Sequence, residues 1–122
     1  MTPRVATTWR VRDRSGFADL RRHGRRSRGG PLTVTWAPGP TGEPPRVAYA
    51  IGKPVGSAVT RNRVRRRLRA IVSELATDLE PGTYLIAAAP AAADLTFDEM
   101  RASVSTAIAA LRPAPTEPPG AP

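Results

Sequence analysis

The chain has 122 residues, enough for one domain with a core of modest size. It holds 19 basic and 10 acidic residues, net +9 with a pI near 11.6, and every basic residue except Lys53 is arginine. The absence of cysteine excludes disulfides, cysteine metal sites and thiol nucleophiles, and a single histidine excludes histidine metal clusters. No apolar run approaches the roughly 20 residues of a membrane span, and the first residues show no secretory apolar region. The expectation is a soluble, cytoplasmic protein.

Charge is unevenly placed. Residues 1–30 hold nine Arg and two Asp, and residues 46–72 hold eight basic residues and no acid, whereas residues 73–122 carry a net charge of −5. A polyanion should therefore meet the N-terminal third and the middle of the chain rather than its end. Arginine in place of lysine favours planar, bidentate phosphate contacts.

In chain order, residues 1–12 show no apolar period and read as an extended basic arm ending in Trp9, Val11 and Arg12. Asp13 or Ser15 can cap a short helix over residues 16–23, with Phe17 and Leu20 on one side and Gly24 as its stop. Residues 24–30, GRRSRGG, read as a basic loop: either its glycines let the backbone approach a partner, or it is a mobile solvated segment. Leu32, Val34 and Trp36 alternate with Thr33 and Thr35 as in a half-buried strand. The Pro/Gly-rich residues 37–45 read as a long hairpin connection to a second alternating strand over residues 47–51, expected to pair antiparallel with the first.

Lys53-Pro54-Val55-Gly56 is a turn. A helix then begins near Ser57 or Thr60 and runs to about Leu79, because Val64, Leu68, Ile71, Val72, Leu75 and Leu79 fall on one stripe at 3.6 residues per turn. Asn62, Arg63, Arg66 and Arg69 lie opposite that stripe, flanked by Arg65 and Arg67. Residues 84–89 form a third strand, parallel to the second across this helix. Thr96 and Glu99 have capping-box spacing, with Leu95 facing Met100, so a last helix follows with Met100, Val104, Ala107, Ile108 and Leu111 inward. From Pro113 onward the chain reads as a disordered tail, leaving a single domain over residues 1–112.

The strand faces opposite the large apolar residues carry Thr33, Thr35, Ala48, Ala50, Ala87 and Ala89, with Leu85 as the exception. Such a face is either an open groove for an extended ligand or the seat of the first helix, and the two are compatible. Paired carboxylates, a nucleophile with its base, or clustered metal ligands are not legible, so the polypeptide is not expected to break bonds itself. The strongest signal is the run Thr60 to Arg69, TRNRVRRRLR, six arginines with no acid before Glu74. Like charges on adjacent turns repel, so the run calls for a partner that neutralises it. RNA fits better than DNA, since no recognition-helix pair or dimer seam accompanies the run.

The stretch from Arg46 to Arg69, RVAYAIGKPVGSAVTRNRVRRRLR, resembles the protein subunit of bacterial ribonuclease P. That family is marked by an Arg-Asn-Arg motif opening a basic helix after a strand and a Lys-Lys-x-Gly turn. FADLRRHG at residues 17–24, the strand from Tyr84 and LTFDE at residues 95–99 follow in the family's order. The resemblance implies an α+β fold, an α/β sandwich in the order αβββαβα with a left-handed βαβ crossover. It further implies a protein cofactor in which a catalytic RNA subunit, holding Mg²⁺, removes the 5′ leader of precursor tRNA, while the protein docks on that RNA and holds the leader.

Carried onto this chain, the resemblance implies RNA-subunit contacts from Lys53, Arg61, Asn62, Arg63, Arg65, Arg66, Arg67 and Arg69. It implies a leader cleft at Arg12, Phe17, Arg21, Thr33, Thr35, Ala50, Ala87 and Ala89. Four positions depart from the pattern: Pro54 replaces the second Lys of the turn, Arg21 and Thr35 replace aromatics, and Ala89 replaces a basic residue. The rival reading is a structural ribosomal or ribosome-assembly protein.

Overall fold

Three strands alternate large apolar side chains with small ones, and this period of two divides the sheet into a face that buries helices and a face that does not. The structure, a computed structural model, describes residues 9–10, 14–39 and 42–111, and for residues 9–10, 14–17 and 19 the backbone alone. Its elements are β1 (Trp9–Arg10), α1 (Arg14–His23), β2 (Arg25–Gly29), β3 (Leu32–Pro38), β4 (Arg46–Ala50), α2 (Ala58–Leu75), β5 (Gly82–Ala88) and α3 (Phe97–Leu111). Past β1 the order is αβββαβα, as the resemblance implies. Most of the expected basic arm, Asp13 and the tail from residue 113 lie outside what is described; α1 begins at Arg14, two residues before the expected start, so Ser15 lies within the helix rather than capping it.

The five strands lie in the order β1-β4-β5-β3-β2. The expected antiparallel pairing of β3 with β4 is not found. β5 lies between them, antiparallel to β3 from Leu32↔Ala88 to Pro38↔Gly82 and parallel to β4 from Arg46↔Thr83 to Ala50↔Ala87. The connection after β3 is long enough to pass β5, and β5 suits the centre because Tyr84 and Ile86 are buried on one face while Leu85 is half-buried on the other. The expected parallel relation of β4 and β5 across α2 holds.

A second correction concerns residues 25–29, read from sequence as part of a loop. They form edge strand β2, antiparallel to β3 from Arg25↔Trp36 to Gly29↔Leu32, closed by a two-residue turn in which Gly30 has φ 55°. Two contacts with α3 hold this polar strand in place. The Arg25 Nη1 donates to the Leu111 carbonyl at 3.4 Å, setting a cation at the C-terminus of α3. At Gly29 a Cβ would overlap the Ser103 carbonyl oxygen, so only glycine admits the helix this close.

One face of the sheet carries Leu32, Val34, Trp36, Val47, Tyr84 and Ile86, packed with Val64, Leu68, Ile71 and Val72 of α2 and Met100, Val104, Ala107, Ile108 and Leu111 of α3. The predicted stripes of both helices are thus the buried ones. α2 passes into a single 3₁₀ turn at Ala76–Asp78, after which Leu79 is still buried. α3 starts as expected: the Glu99 N–H donates to Thr96 Oγ1 at 3.0 Å and the Thr96 N–H donates to Glu99 Oε1 at 2.8 Å. The Trp36 Nε1 donates to the Pro81 carbonyl at 3.2 Å, fixing the entry to β5. No helix among the described residues is long and apolar enough to cross a membrane.

α2 also meets the sheet at Tyr49, which is half-buried against the core with the Arg69 guanidinium carbon 5.9 Å from its ring centroid. Burial pushes the Tyr49 hydroxyl up from 10.0 to about 12, while the Arg69 charge works in the opposite direction.

Two outcomes follow from this packing. Gly29→Ala should lower the stability of the fold by about 1–3 kcal/mol, since backbone rather than a flexible side chain must yield. Gly52→Ala, where the added Cβ would sit 3.5 Å from Pro54 Cδ, should stay within about 0.5 kcal/mol. Equal urea midpoints for the two variants would contradict the close α3–β2 approach. Because the folded pKa of Tyr49 lies above its unfolded value, its contribution is complete below pH 10 and is lost as pH rises toward 12. Urea midpoints measured across that window should fall more steeply for the native chain than for Tyr49→Phe, and parallel profiles would refute the assignment.

Candidate nucleic-acid interface

α2 is set in place at its start by Ser57, whose Oγ accepts the Thr60 N–H at 3.2 Å, directly after the turn that carries Lys53. No acid occupies its first turn, so the positive end of the helix dipole adds to the arginines. These arginines divide by what holds them. The Arg61 Nε donates to the Gly56 carbonyl at 3.2 Å, and the Arg65 Nη1 donates to Asn62 Oδ1 at 3.3 Å. Both contacts orient a guanidinium while leaving donors unused. Arg67 donates to the Leu95 carbonyl at 3.2 Å, tying α2 to the segment before α3, and Arg69 lies over Tyr49. Arg63 and Arg66 have no hydrogen-bond or ion-pair partner among the described residues.

Among the described residues, ion pairs join Arg46 with Glu43, and Arg101 with Glu74 and Asp98. None neutralises an α2 arginine. Val59, Asn62, Arg63 and Arg66 share one stripe of the helix at i, i+3, i+4 and i+7. Val59, 75% exposed, is the only exposed large hydrophobe among the described residues. It was not singled out from sequence, where it looks like one more apolar residue at a helix start.

On the opposite side of the sheet, the strand registers place the predicted cleft residues in rows. Thr33 is paired with Ala87, and Ala87 with Ala50; the neighbouring row runs Thr35, Leu85, Ala48. α1 settles over the second row, with Leu20 buried there. In the first row Thr33 and Ala87 are half-buried and Ala50 is exposed. The helix seat expected for this face is therefore found at the second row, and the first row is the candidate for the open groove. Arg21 joins Thr35 in lining a concavity of about 620 Å³ between α1 and the sheet. Ala89 falls one residue past β5 in extended backbone. Arg12 and the side chain of Phe17 lie outside the described residues.

The structure adds two residues the sequence reading did not assign. Arg26 and Arg28 pair with Thr35 and Thr33 and so extend both rows at the β2 edge. The available signal was parity: if Gly29 faces a helix, Arg26 and Arg28 face away from it.

Among the described residues no group of three or more His, Cys, Asp or Glu could hold a metal ion. The donors assembled here are guanidinium groups and threonine hydroxyls, suited to phosphate oxygens rather than to a cation.

Comparison with known proteins identifies a family and a shared fold. A model of the family described as Ribonuclease P matches residues 5–112. The ribonuclease P protein component of Beutenbergia cavernae is 42% identical over 103 residues, covering 84% of this chain and 87% of the relative. That of Thermobifida fusca is 38% identical over 110 residues, covering 84% and 75%. Among solved structures, the ribonuclease P protein of Staphylococcus aureus superposes with a TM-score of 0.76 at 17% identity, covering 85% of this chain and 95% of that one. The Thermotoga maritima protein gives 0.72 at 16%, covering 85% and 98%. The fold is shared with those structures, and the extent of the sequence match shows that this chain belongs to the family of bacterial ribonuclease P protein components.

Proposed function

We propose that this protein is the RNA-binding subunit of a ribonuclease P holoenzyme, docking on the catalytic RNA through α2 and holding the 5′ leader of precursor tRNA across the open Thr/Ala row. The observation that carries the reading is the division of the sheet: un-neutralised arginines on the helix outside one face, an open groove on the other. One partner is met by each. Membership of the ribonuclease P family supports this pairing of a structured RNA with a substrate strand.

In this account the polypeptide supplies no nucleophile. Arg63 and Arg66 are free to form bidentate contacts with phosphates, and Arg61 and Arg65 meet them from held positions. Lys53, in the turn before the same helix, adds a point charge. Arg67 and Arg69 act mainly by fixing α2 to its neighbours. The bond joining leader to tRNA is broken in the RNA subunit, with Mg²⁺ held mainly there. The protein lowers the Mg²⁺ demand by screening phosphate repulsion and orients the substrate by restricting its leader.

Reconstitution tests this directly. At low Mg²⁺ and physiological salt, the protein should accelerate 5′ cleavage of precursor tRNA by its matching catalytic RNA, and no acceleration would refute the proposal. In the same assay Arg61→Ala/Arg63→Ala/Arg66→Ala should weaken binding to the catalytic RNA. The slope of log affinity against log salt should flatten by a little under one unit per lost phosphate contact. An unchanged slope would show that these three residues do not touch phosphate.

A further inference from the structure

The strand with the densest charge among the described residues has no part in the function described so far. β2 bears Arg25, Arg26 and Arg28 in five residues, and its alternation sends them to different tasks. Arg25 faces α3 and closes its C-terminus. Arg26 and Arg28 face the other way, both exposed, at the end of the two rows that form the Thr/Ala face. Alternate residues of a strand stand about 6.8 Å apart, comparable to the separation of neighbouring phosphates in an extended nucleic-acid strand.

The surroundings suit an anion. Arg26 and Arg28, with Thr33 and Ser27, line a concavity of about 270 Å³, and Arg26 also lines the larger one with Arg21 and Thr35. Among the described residues no acid pairs with any of the three arginines, and the Thr33 and Thr35 hydroxyls have no hydrogen-bond partner. The strand is held from behind by Arg25 and Gly29, so these side chains project from fixed backbone.

Continuity decides which anion. From Arg28 the open row leads through Thr33 and Ala87 to Ala50, about 14 Å across four strands. The α2 arginines lie beyond the other face of the sheet. A strand lying along the groove would leave it over Arg28 and Arg26, while the RNA docked on α2 would be on the far side.

We infer that Arg26 and Arg28, together with Arg21 at the end of α1, form a phosphate track at the β2 end of the groove, binding consecutive phosphates of the single-stranded leader. The inference rests on the proposed function and deepens it: the leader is gripped here by its backbone charge rather than by its bases. Arg21 and Thr35, which stand where the family pattern has aromatics, would then belong to a cleft that trades stacking for charge. Binding should be tolerant of leader sequence and steep in its response to salt.

The test uses the reconstituted holoenzyme and precursor tRNAs whose leaders are lengthened one nucleotide at a time. Affinity should rise with leader length for the native protein. In Arg26→Gln/Arg28→Gln, a surface change, the added affinity should drop at least about tenfold, and the salt slope should fall by about 1.4, or about 0.7 for each single-strand phosphate contact. Affinity for the catalytic RNA should be unchanged.

Methylphosphonates at two consecutive leader positions should impose the same loss on the native protein and little further loss on the double variant, a coupling expected only of direct contact. Arg26→Lys/Arg28→Lys should recover most of the salt slope and less of the affinity. If leader length matters and the double variant keeps the full gain, the track is wrong and the leader reading stands. If leader length has no effect with the native protein, the leader reading itself fails and the track with it. Loss of affinity for the catalytic RNA would assign these arginines to that partner and overturn the inference.

Discussion

The two-residue period of the sheet is the constraint on which the molecule depends. Leu32, Val34 and Trp36 must face one way if Thr33 and Thr35 face the other, and the same holds for Val47 against Ala48 and for Tyr84 and Ile86 against Ala87. A slip of one residue in any pairing would turn threonine into the core and valine into solvent. Since the large side chains share one face, α2 and α3 pack there. The other face keeps only what α1 can cover, and the uncovered row is the groove. Core and candidate binding site are therefore two consequences of one pattern.

Most of the charge is built on top of that frame without helping it. Six arginines stand within ten residues, while Glu43, Glu74 and Asp98 pair with Arg46 and Arg101 instead. Val64, Leu68, Ile71 and Val72 hold α2 against the sheet despite the repulsion along its outer side. Two of the arginines are used internally, Arg67 on the Leu95 carbonyl and Arg69 over Tyr49, and these steady the helix that presents the others. At the opposite edge β2 follows the same plan: Arg25 binds a helix end so that Arg26 and Arg28 stand on a fixed strand.

Much of this was readable from residue order. α2 and α3 announce themselves by apolar stripes and by the Thr96–Glu99 box, and β3, β4 and β5 by alternation. β2 was not readable, because its inward contacts come from a glycine and an arginine, neither of which carries a hydrophobic signal. Strand order was missed for a different reason: proximity along the chain favours pairing β3 with β4, whereas burial of β5 on both faces favours its insertion between them. The arginine run was evident as a run. Its division into Arg63 and Arg66 with no described partner and Arg67 tied to Leu95 depends on where residue 95 returns in space. Likewise Thr33, Ala87 and Ala50 could be assigned to a common face, but only the register places them in a row.

The most direct measurement of the central claim, that the two sides of the sheet meet two different RNAs, uses the lack of cysteine in the chain. A hydroxyl-radical probe attached to Asn62→Cys on α2 or to Thr33→Cys in the groove would report which RNA lies beside each within the assembled holoenzyme and precursor tRNA. The account predicts strand scission in the catalytic RNA from position 62 and in the 5′ leader from position 33. Scission of the same RNA segment from both positions, or an uncut leader beside a probe at position 33, would contradict it.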